Sequence, residues 1–203
     1  MQLTIPIPES QDAVRIPAGI LRWSEDEFFQ FCRANRGLRV ERSPNGEIIV
    51  MSPAGGYAGY QSGEVFGQLK AWASTDGSGV AFDSSTGFLL PGGAMRAPDA
   101  AWVERSRLKK LTRREKEQFI PLCPDFLIAV ASPSDDVSTL REKMNEYVSC
   151  GLRLGWLILP TSTEVGIYTS DRVETLSSPA KISADPVLPG FSLELTSIWD
   201  PPF

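Results

Sequence analysis

Histidine is absent from the 203-residue sequence, and this absence excludes several kinds of active site. Serine–histidine and cysteine–histidine nucleophiles, histidine-ligated nuclease centres and zincin-type hydrolases all depend on an imidazole. Any acid–base chemistry must therefore fall to aspartate, glutamate, lysine or tyrosine side chains.

Cysteine is also scarce, since the sequence has only Cys32, Cys123 and Cys150. An odd number of widely spaced cysteines is typical of free thiols in a reducing compartment, not of a disulfide framework or a zinc site. No apolar run approaches the roughly 18 residues that a membrane-spanning helix needs. The N-terminal stretch lacks the basic and apolar segments of a secretory signal. We therefore expect a cytoplasmic protein with no membrane association.

The length and the ordinary apolar fraction predict one domain over residues 1–203, large enough to bury a real core. No internal repeat or linker divides the chain. The Pro-rich residues 1–20 are expected to form an irregular N-terminal arm. Residues 186–203 are expected to form a C-terminal tail that lies as a loop on the domain, with its large apolar side chains docked on the core.

Charge is unevenly distributed along the chain. The net charge of −5 argues against indiscriminate nucleic-acid binding. One stretch is nevertheless basic, which predicts a phosphate-binding surface. A solvated pair of helices over residues 104–119 explains the same charges equally well. The basic residues are Arg96, Arg105, Arg107, Lys109, Lys110, Arg113, Arg114 and Lys116.

The stretch 124–160 has the pattern of a strand, a helix and a second strand. Residues 125–131 are an apolar run bounded by prolines, which favours a buried strand. From Val137 the apolar residues recur at helical spacing until Cys150-Gly151, and residues 156–159 are apolar again. This order predicts a right-handed crossover between two parallel strands, whose chemistry gathers at their C-terminal ends, here residues 129–134.

Other local signals predict two more helices and two hairpins. Ser24 and Glu27 form a capping-box pattern that opens a helix, and residues 57–73 have helical spacing. Hairpins are predicted around the turns at residues 43–46 and 170–171.

Four polar residues in or near this unit carry the candidate chemistry. Asp99 follows a proline at a strand start, Asp135 and Asp136 follow the strand at 125–131, and Lys143 lies on the helix. Carboxylates on neighbouring strands with a nearby lysine are typical of hydrolytic sites that hold Mg²⁺ and act on phosphates. Each residue also has a simpler explanation, because such aspartates often form turns or cap helices and such a lysine is often solvated.

The chain resembles the Uma-two family of restriction-endonuclease-like domains, which are abundant in cyanobacteria and other bacteria. The resemblance covers nearly the whole chain and depends on five motifs: MSPAGG, FDSSTGFLLPGGAMRAPDAAWV, PLCPDFLIAVASPSD, LREKMNEYVSCGLRLGWLI and VLPGFSLELTSIW. It implies the α/β fold of the PD-(D/E)XK nuclease superfamily, with a central mixed β-sheet flanked by helices. It also implies phosphodiester hydrolysis of DNA that depends on Mg²⁺ or Mn²⁺.

The resemblance assigns roles to individual residues. Asp99 matches the metal-binding aspartate, Lys143 matches a lysine moved from the strand to the following helix, and Glu64 matches an acidic position that assists the metal. A backbone carbonyl near Val130 is a further candidate ligand. The family's catalytic glutamate, which precedes a Ser-Pro pair by three residues, is replaced here by Ala129.

The replacement at position 129 predicts weak metal binding and an inactive or slow enzyme. Asp125 is a poor substitute, because four residues along a strand span about 13 Å. An engineered replacement and a natural one are both consistent with this sequence. The alternatives are a non-catalytic nucleic-acid-binding or regulatory module, and a purely structural or protein-interaction domain. By analogy with restriction-type nucleases, we also expect a homodimer.

Overall fold

The computed structural model describes residues 13–21 and 23–203. Within these residues the α-helices are α1 (Glu25–Ala34), α2 (Gly56–Asp76), α3 (Arg105–Lys109), α4 (Arg113–Glu117), α5 (Val137–Ser149) and α6 (Thr196–Trp199). The strands are β1 (Ala13–Ile16), β2 (Arg39–Arg42), β3 (Ile48–Met51), β4 (Gly79–Asp83), β5 (Phe88–Leu89), β6 (Met95–Arg96), β7 (Ala100–Glu104), β8 (Phe126–Val130), β9 (Leu154–Leu159), β10 (Glu164–Tyr168), β11 (Val173–Ser177), β12 (Lys181–Ser183) and β13 (Ser192–Glu194). None of the helices in this part of the chain is long and apolar enough to cross a membrane.

The central sheet has six strands in the order β11-β10-β9-β8-β7-β4. β8 and β9 are parallel and are joined through α5, whereas the other neighbouring pairs are antiparallel. The predicted strand–helix–strand unit and the mixed sheet are therefore both confirmed.

Helices cover both faces of the central sheet. Phe126 and Ile128 of β8 belong to the same buried cluster as Val65 and Leu69 of α2. Leu127, which points the other way, belongs to the cluster that contains residues of α5. Because β8 is covered on both faces, it reads in the sequence as a continuous apolar run rather than an alternating one.

A second sheet of five strands, in the order β1-β3-β2-β6-β5, lies beside the central sheet. Phe28 of α1 packs with Val40, Ile48 and Met95 of this sheet. The capping box predicted at Ser24 is present, and the hairpin predicted around residues 43–46 is the β2–β3 pair. The hairpin predicted around residues 170–171 is the β10–β11 pair of the central sheet.

The described parts of the predicted arm and of the predicted tail are more regular than the sequence suggests. Within the predicted N-terminal arm, Ala13–Ile16 form β1 and pair with β3, while residues 1–12 lie outside the described residues. The predicted tail is not only loop, because β13 pairs with β12 and is followed by α6. Strands of three or four residues beside prolines carry little periodicity, so the sequence does not reveal them. The tail does dock on the core, where Phe191 and Ile198 are almost fully buried.

Candidate active site

A cavity of about 550 Å³ opens at the C-terminal end of β8. Its walls come from β2, the first half of α2, the residues before β7, the end of β8 and one face of α5. Ala129, Val130, Ser132 and Ser134 all line it, so the cavity lies at the rim that the strand–helix–strand pattern predicts. The second sheet contributes the opposite wall through Arg39 and Glu41.

The pairing of β7 with β8 brings Asp99 to Ala129. Ala100 lies opposite Ile128 in the antiparallel register, and Asp99 comes one residue before Ala100. One further step of the same register therefore places Asp99 opposite Ala129. The Val130 N–H donates a hydrogen bond of 2.8 Å to Asp99 Oδ2 and ties the carboxylate to the end of β8.

Two more donors hold the other oxygen of Asp99. Ser62 Oγ on α2 donates at 3.2 Å, and Arg39 Nη2 on β2 lies 3.5 Å away. The Asp99 side chain is almost completely buried. This burial raises the pKa of Asp99 above its usual value, although Arg39, the Val130 N–H and Ser62 act in the opposite direction. The carboxylate is thus fixed by three elements of the fold.

Lys143 reaches the same cavity from α5, but its closest partner is a residue that the sequence analysis did not single out. Its Nζ lies 2.6 Å from Glu41 Oε2 on β2, and the Glu41 side chain is only 4% exposed. Arg96 Nη1 lies 3.0 Å from the same oxygen, and the Ala97 N–H donates to Glu41 Oε1 at 3.3 Å. Arg96 also pairs with Glu146 at 2.7 Å.

These four side chains form a chain of alternating charges that is buried at Glu41 and Arg96, and we call it the Glu41 network: Lys143, Glu41, Arg96 and Glu146. Burial opposes ionisation of Glu41, but the neighbouring Lys143 and Arg96 outweigh it and lower the pKa of Glu41. Glu41 is therefore an anion at neutral pH.

One signal for this wall of the cavity was present in the sequence but was not used above. Along β2, Arg39 and Glu41 alternate with Val40, which packs in the core near α1. Two charged side chains on one strand face, opposite an apolar face, can belong to a solvated edge or to a polar site. The partners of Glu41 are at least 55 residues away in sequence, so local pattern alone does not decide between these readings.

Glu64, matched by resemblance to an acidic position near the metal, is not brought to Asp99. It accepts a hydrogen bond of 3.3 Å from Ser197 Oγ and is not part of the cavity lining. Ser62, two residues earlier on α2, is the residue that reaches Asp99. Two residues turn a helix by about 200°, so Ser62 and Glu64 point to opposite sides.

The predicted basic surface does not border this cavity. Arg96 is buried inside the Glu41 network, with a side chain only 5% exposed, so it cannot be part of an exposed phosphate-binding surface. Arg105, Arg107, Lys109 and Lys110 follow β7 at the end away from Asp99, and the five residues of β7 span about 16 Å.

Part of this basic stretch is also engaged within the protein. Arg105 Nε donates to the Gly77 carbonyl at 2.9 Å. Arg107 pairs at 2.8 Å with Asp125, the carboxylate at the start of β8. Asp125 therefore lies at the opposite end of β8 from Ala129, as the strand length predicts.

The residues around Asp99 do not fit a magnesium ion. Restriction-endonuclease-like proteins generally use Mg²⁺, which takes oxygen ligands at about 2.1 Å, including one or two carboxylates. Asp99 instead faces the Arg39 guanidinium, and position 129 offers a methyl group. Both oxygens of Glu41 are occupied by cations or an N–H. The Val130 backbone lines the cavity but adds no charge. Among residues 13–21 and 23–203, no group of three or more His, Cys, Asp or Glu side chains is close enough to hold a metal.

We expect Glu41→Gln to destabilise the protein by about 3 kcal/mol at pH 7, because it leaves Lys143 and Arg96 without their buried anion. Since the pKa of Glu41 is lowered, its stabilisation is present above about pH 4.5 and is lost as the pH falls through the folded-state pKa. Urea unfolding at pH 7 and pH 4 measures both effects. Glu117→Gln, which breaks the exposed pair with Arg113, is the control and should change little. A similar small loss in both variants would contradict the prediction.

Asp99→Asn is expected to change stability in the opposite direction. Because burial raises the pKa of Asp99, the ionised carboxylate costs free energy in the folded state at pH 7, and a neutral amide removes that cost. The gain should shrink as the pH falls and the wild-type carboxyl becomes protonated. Urea unfolding of both proteins between pH 7 and pH 4 tests this. A loss of stability at pH 7 would mean that the contact with Arg39 outweighs burial.

Comparisons with known proteins show the family and the fold of the chain. A family model described as "Uma2: Putative restriction endonuclease" matches residues 25–196. A crystal structure of "a putative nuclease belonging to DUF820" from Anabaena variabilis ATCC 29413 superposes with a TM-score of 0.68. It is 18% identical in sequence, and the match covers 88% of this chain and 98% of that chain. No curated protein compared with the chain matches it.

The structural match at this identity shows the fold, and the family match extends over most of the chain. The mixed sheet flanked by helices is the restriction-endonuclease-like fold, as the resemblance implied. The chain therefore belongs to the Uma2 family, whose model is described as a "putative restriction endonuclease".

Proposed function

We propose that the protein is an endonuclease of the Mg²⁺-dependent restriction type whose metal site is incomplete at position 129, so that its present form hydrolyses phosphodiester bonds slowly or not at all. The observation that carries this proposal is the position of Asp99, a buried carboxylate held directly opposite Ala129 at the mouth of the cavity. The family supports nucleic acid as the substrate class. DNA in particular is proposed from the resemblance to restriction endonucleases.

The geometry explains why position 129 matters. Side chains directly opposite each other in an antiparallel pair have Cβ atoms about 5 Å apart, so a glutamate at 129 would carry its carboxylate beside Asp99. Ala129 carries none. A bound metal acts as a Lewis acid worth several kcal/mol of transition-state stabilisation, and each 1.36 kcal/mol is about tenfold in rate. Loss of this one carboxylate is therefore enough to account for a very slow enzyme.

Lys143 is the candidate cation for the reaction. Its ammonium lies in the cavity wall, where a positive charge stabilises negative charge that develops on phosphate oxygens. Arg39, beside Asp99, is a second cation of the same cavity. These residues supply binding and charge stabilisation, but not a site for an ion.

The charges of the cavity argue against the alternative of a metal-free nucleic-acid-binding module. Its charged lining residues are two cations and four carboxylates: Arg39, Lys143, Glu41, Asp83, Asp99 and Asp135. A phosphate backbone without counter-cations is repelled by such an acidic surface. This favours a nuclease site that has lost its metal over a site adapted to bind nucleic acid without one.

A homodimer remains part of the proposal by analogy with nucleases that cut both strands with two subunits. Light scattering at micromolar concentration tests it, and a monomer would remove this part without affecting the rest.

Replacing Ala129 with glutamate should create cleavage of plasmid DNA that depends on Mg²⁺ or Mn²⁺ and that EDTA abolishes. The rate of cleavage is expected to rise by about a hundredfold or more over that of the present form. A hundredfold rise needs two steps of about 1.36 kcal/mol in transition-state stabilisation, which is less than the several kcal/mol that a bound metal supplies. Ala129→Gln is the matched control, because it has the same size without the charge. Adding Asp99→Ala or Lys143→Ala to the glutamate form should abolish the activity again.

Two outcomes of this nicking assay would contradict the proposal. Equal activity of the alanine and glutamate forms would place the active site elsewhere. Activity in neither form, with folding and metal binding of the glutamate form verified, would favour the non-catalytic module.

A further inference from the structure

We propose that Glu41 is the positioning residue of Lys143, and that Arg96 in turn holds Glu41 in place. The active cleft is then built jointly by the central sheet, which provides Asp99 and position 129, and by the second sheet, which fixes the lysine. The inference deepens the proposed function, because Lys143 has a catalytic role only if the cleft acts on phosphodiester bonds.

Lys143 needs a partner in order to occupy one position. Its flexible four-carbon stem has many rotamers, and a displacement of about 1 Å at a catalytic group can cost a hundredfold in rate. The contact with Glu41 at 2.6 Å restricts the ammonium, and the Lys143 side chain is only 21% exposed. A single strong ion pair from the opposite wall thus selects where the ammonium lies.

Glu41 is itself fixed more firmly than an ordinary surface carboxylate. It lies on β2, its Oε1 accepts the Ala97 N–H, and its Oε2 is shared by Arg96 and Lys143. Because two cations share Oε2, the charge of Glu41 is already compensated without a metal ion. Its chemistry in the cleft is therefore that of a fixed anion that orients a cation, which distinguishes it from Asp99.

Arg96 also forms an ion pair with a second residue of α5. Its Nη2 lies 2.7 Å from Glu146, which follows Lys143 by three residues and so lies on the same face of α5. The Glu41 network therefore connects β2 and β6 of the second sheet to the stretch of α5 that carries the lysine.

A network that served stability alone would behave differently when it is broken. Loss of a buried ion pair would then loosen the protein generally and make many lysines more reactive. A positioning role predicts a change confined to Lys143. Glu146 provides the matched control, because Glu146→Gln also breaks the network but leaves the Lys143–Glu41 contact intact.

Lysine footprinting on the full chain separates the two roles. Folded protein is treated briefly with acetic anhydride, and the rate at which each lysine is modified is measured by mass spectrometry. The reagent must reach the amine, so a lysine held against a carboxylate in the cavity wall reacts slowly. We expect Glu41→Gln to raise the rate at Lys143 by about tenfold relative to Lys109, as loss of one charged hydrogen bond implies, and Glu146→Gln to leave that ratio nearly unchanged.

Glu41→Asp serves as a second variant if Glu41→Gln does not fold. The aspartate side chain keeps the charge but is shorter by one methylene, so the modification rate of Lys143 should rise by a smaller factor. The proposal is overturned if Lys143 of the unaltered protein reacts as fast as the exposed Lys109. It is also overturned if the Glu41 and Glu146 variants raise all lysine rates alike.

The catalytic consequence is measured separately in the Ala129→Glu form. Adding Glu41→Gln there should lower kcat for DNA nicking while KM changes little, because the lysine is displaced while the rest of the cleft is kept. A loss in KM alone would contradict the positioning role. If the Ala129→Glu form cleaves nothing while the footprint changes as expected, the proposed function fails and the positioning of Lys143 by Glu41 stands.

Discussion

The antiparallel pairing of β7 with β8 is the constraint on which the site depends. It places Asp99 opposite Ala129, and the hydrogen bond from the Val130 N–H keeps the carboxylate at the end of β8. The parallel pairing of β8 with β9, made through α5, then brings Lys143 over the same rim. The candidate chemistry therefore follows from strand register, and a shift of one residue in β7 would turn Asp99 away from the cavity.

Two of the four carboxylates that line the cavity are in opposite electrostatic situations. Glu41 is buried but surrounded by cations, so it stays ionised, whereas burial dominates at Asp99 and raises its pKa. In a complete nuclease site a metal ion would offset the charge on Asp99. Here the nearest compensating charge is Arg39, and the carboxylate expected at position 129 is missing. The proposed site therefore keeps one of the two carboxylates that metal-dependent chemistry would need, Asp99, and lacks the other at position 129.

Periodicity predicted the central unit well, because β8, α5 and β9 are contiguous and their apolar spacing reports directly on burial. Motifs shared with the family singled out Asp99 and Lys143, and both line the cavity, although their roles stay predictions. Glu41 and Arg39 were missed because their partners are distant in sequence. The pairing of β2 with β6 could not be predicted either, because it consists of a single register pair, Arg42 with Met95. Arg96 was misjudged for a related reason, since a cluster of basic residues does not reveal which one points inward.

We propose that position 129 decides whether the cleft holds a divalent metal. Electron paramagnetic resonance of added Mn²⁺ tests it without relying on catalysis, because bound Mn²⁺ loses the signal of the free ion. We expect the present form to bind Mn²⁺ weakly, and Asp99→Asn should not alter this weak binding. The Ala129→Glu form should bind Mn²⁺ about tenfold more tightly or better, and adding Asp99→Asn to it should abolish the gain. Tight, Asp99-dependent binding of Mn²⁺ by the present form would contradict it.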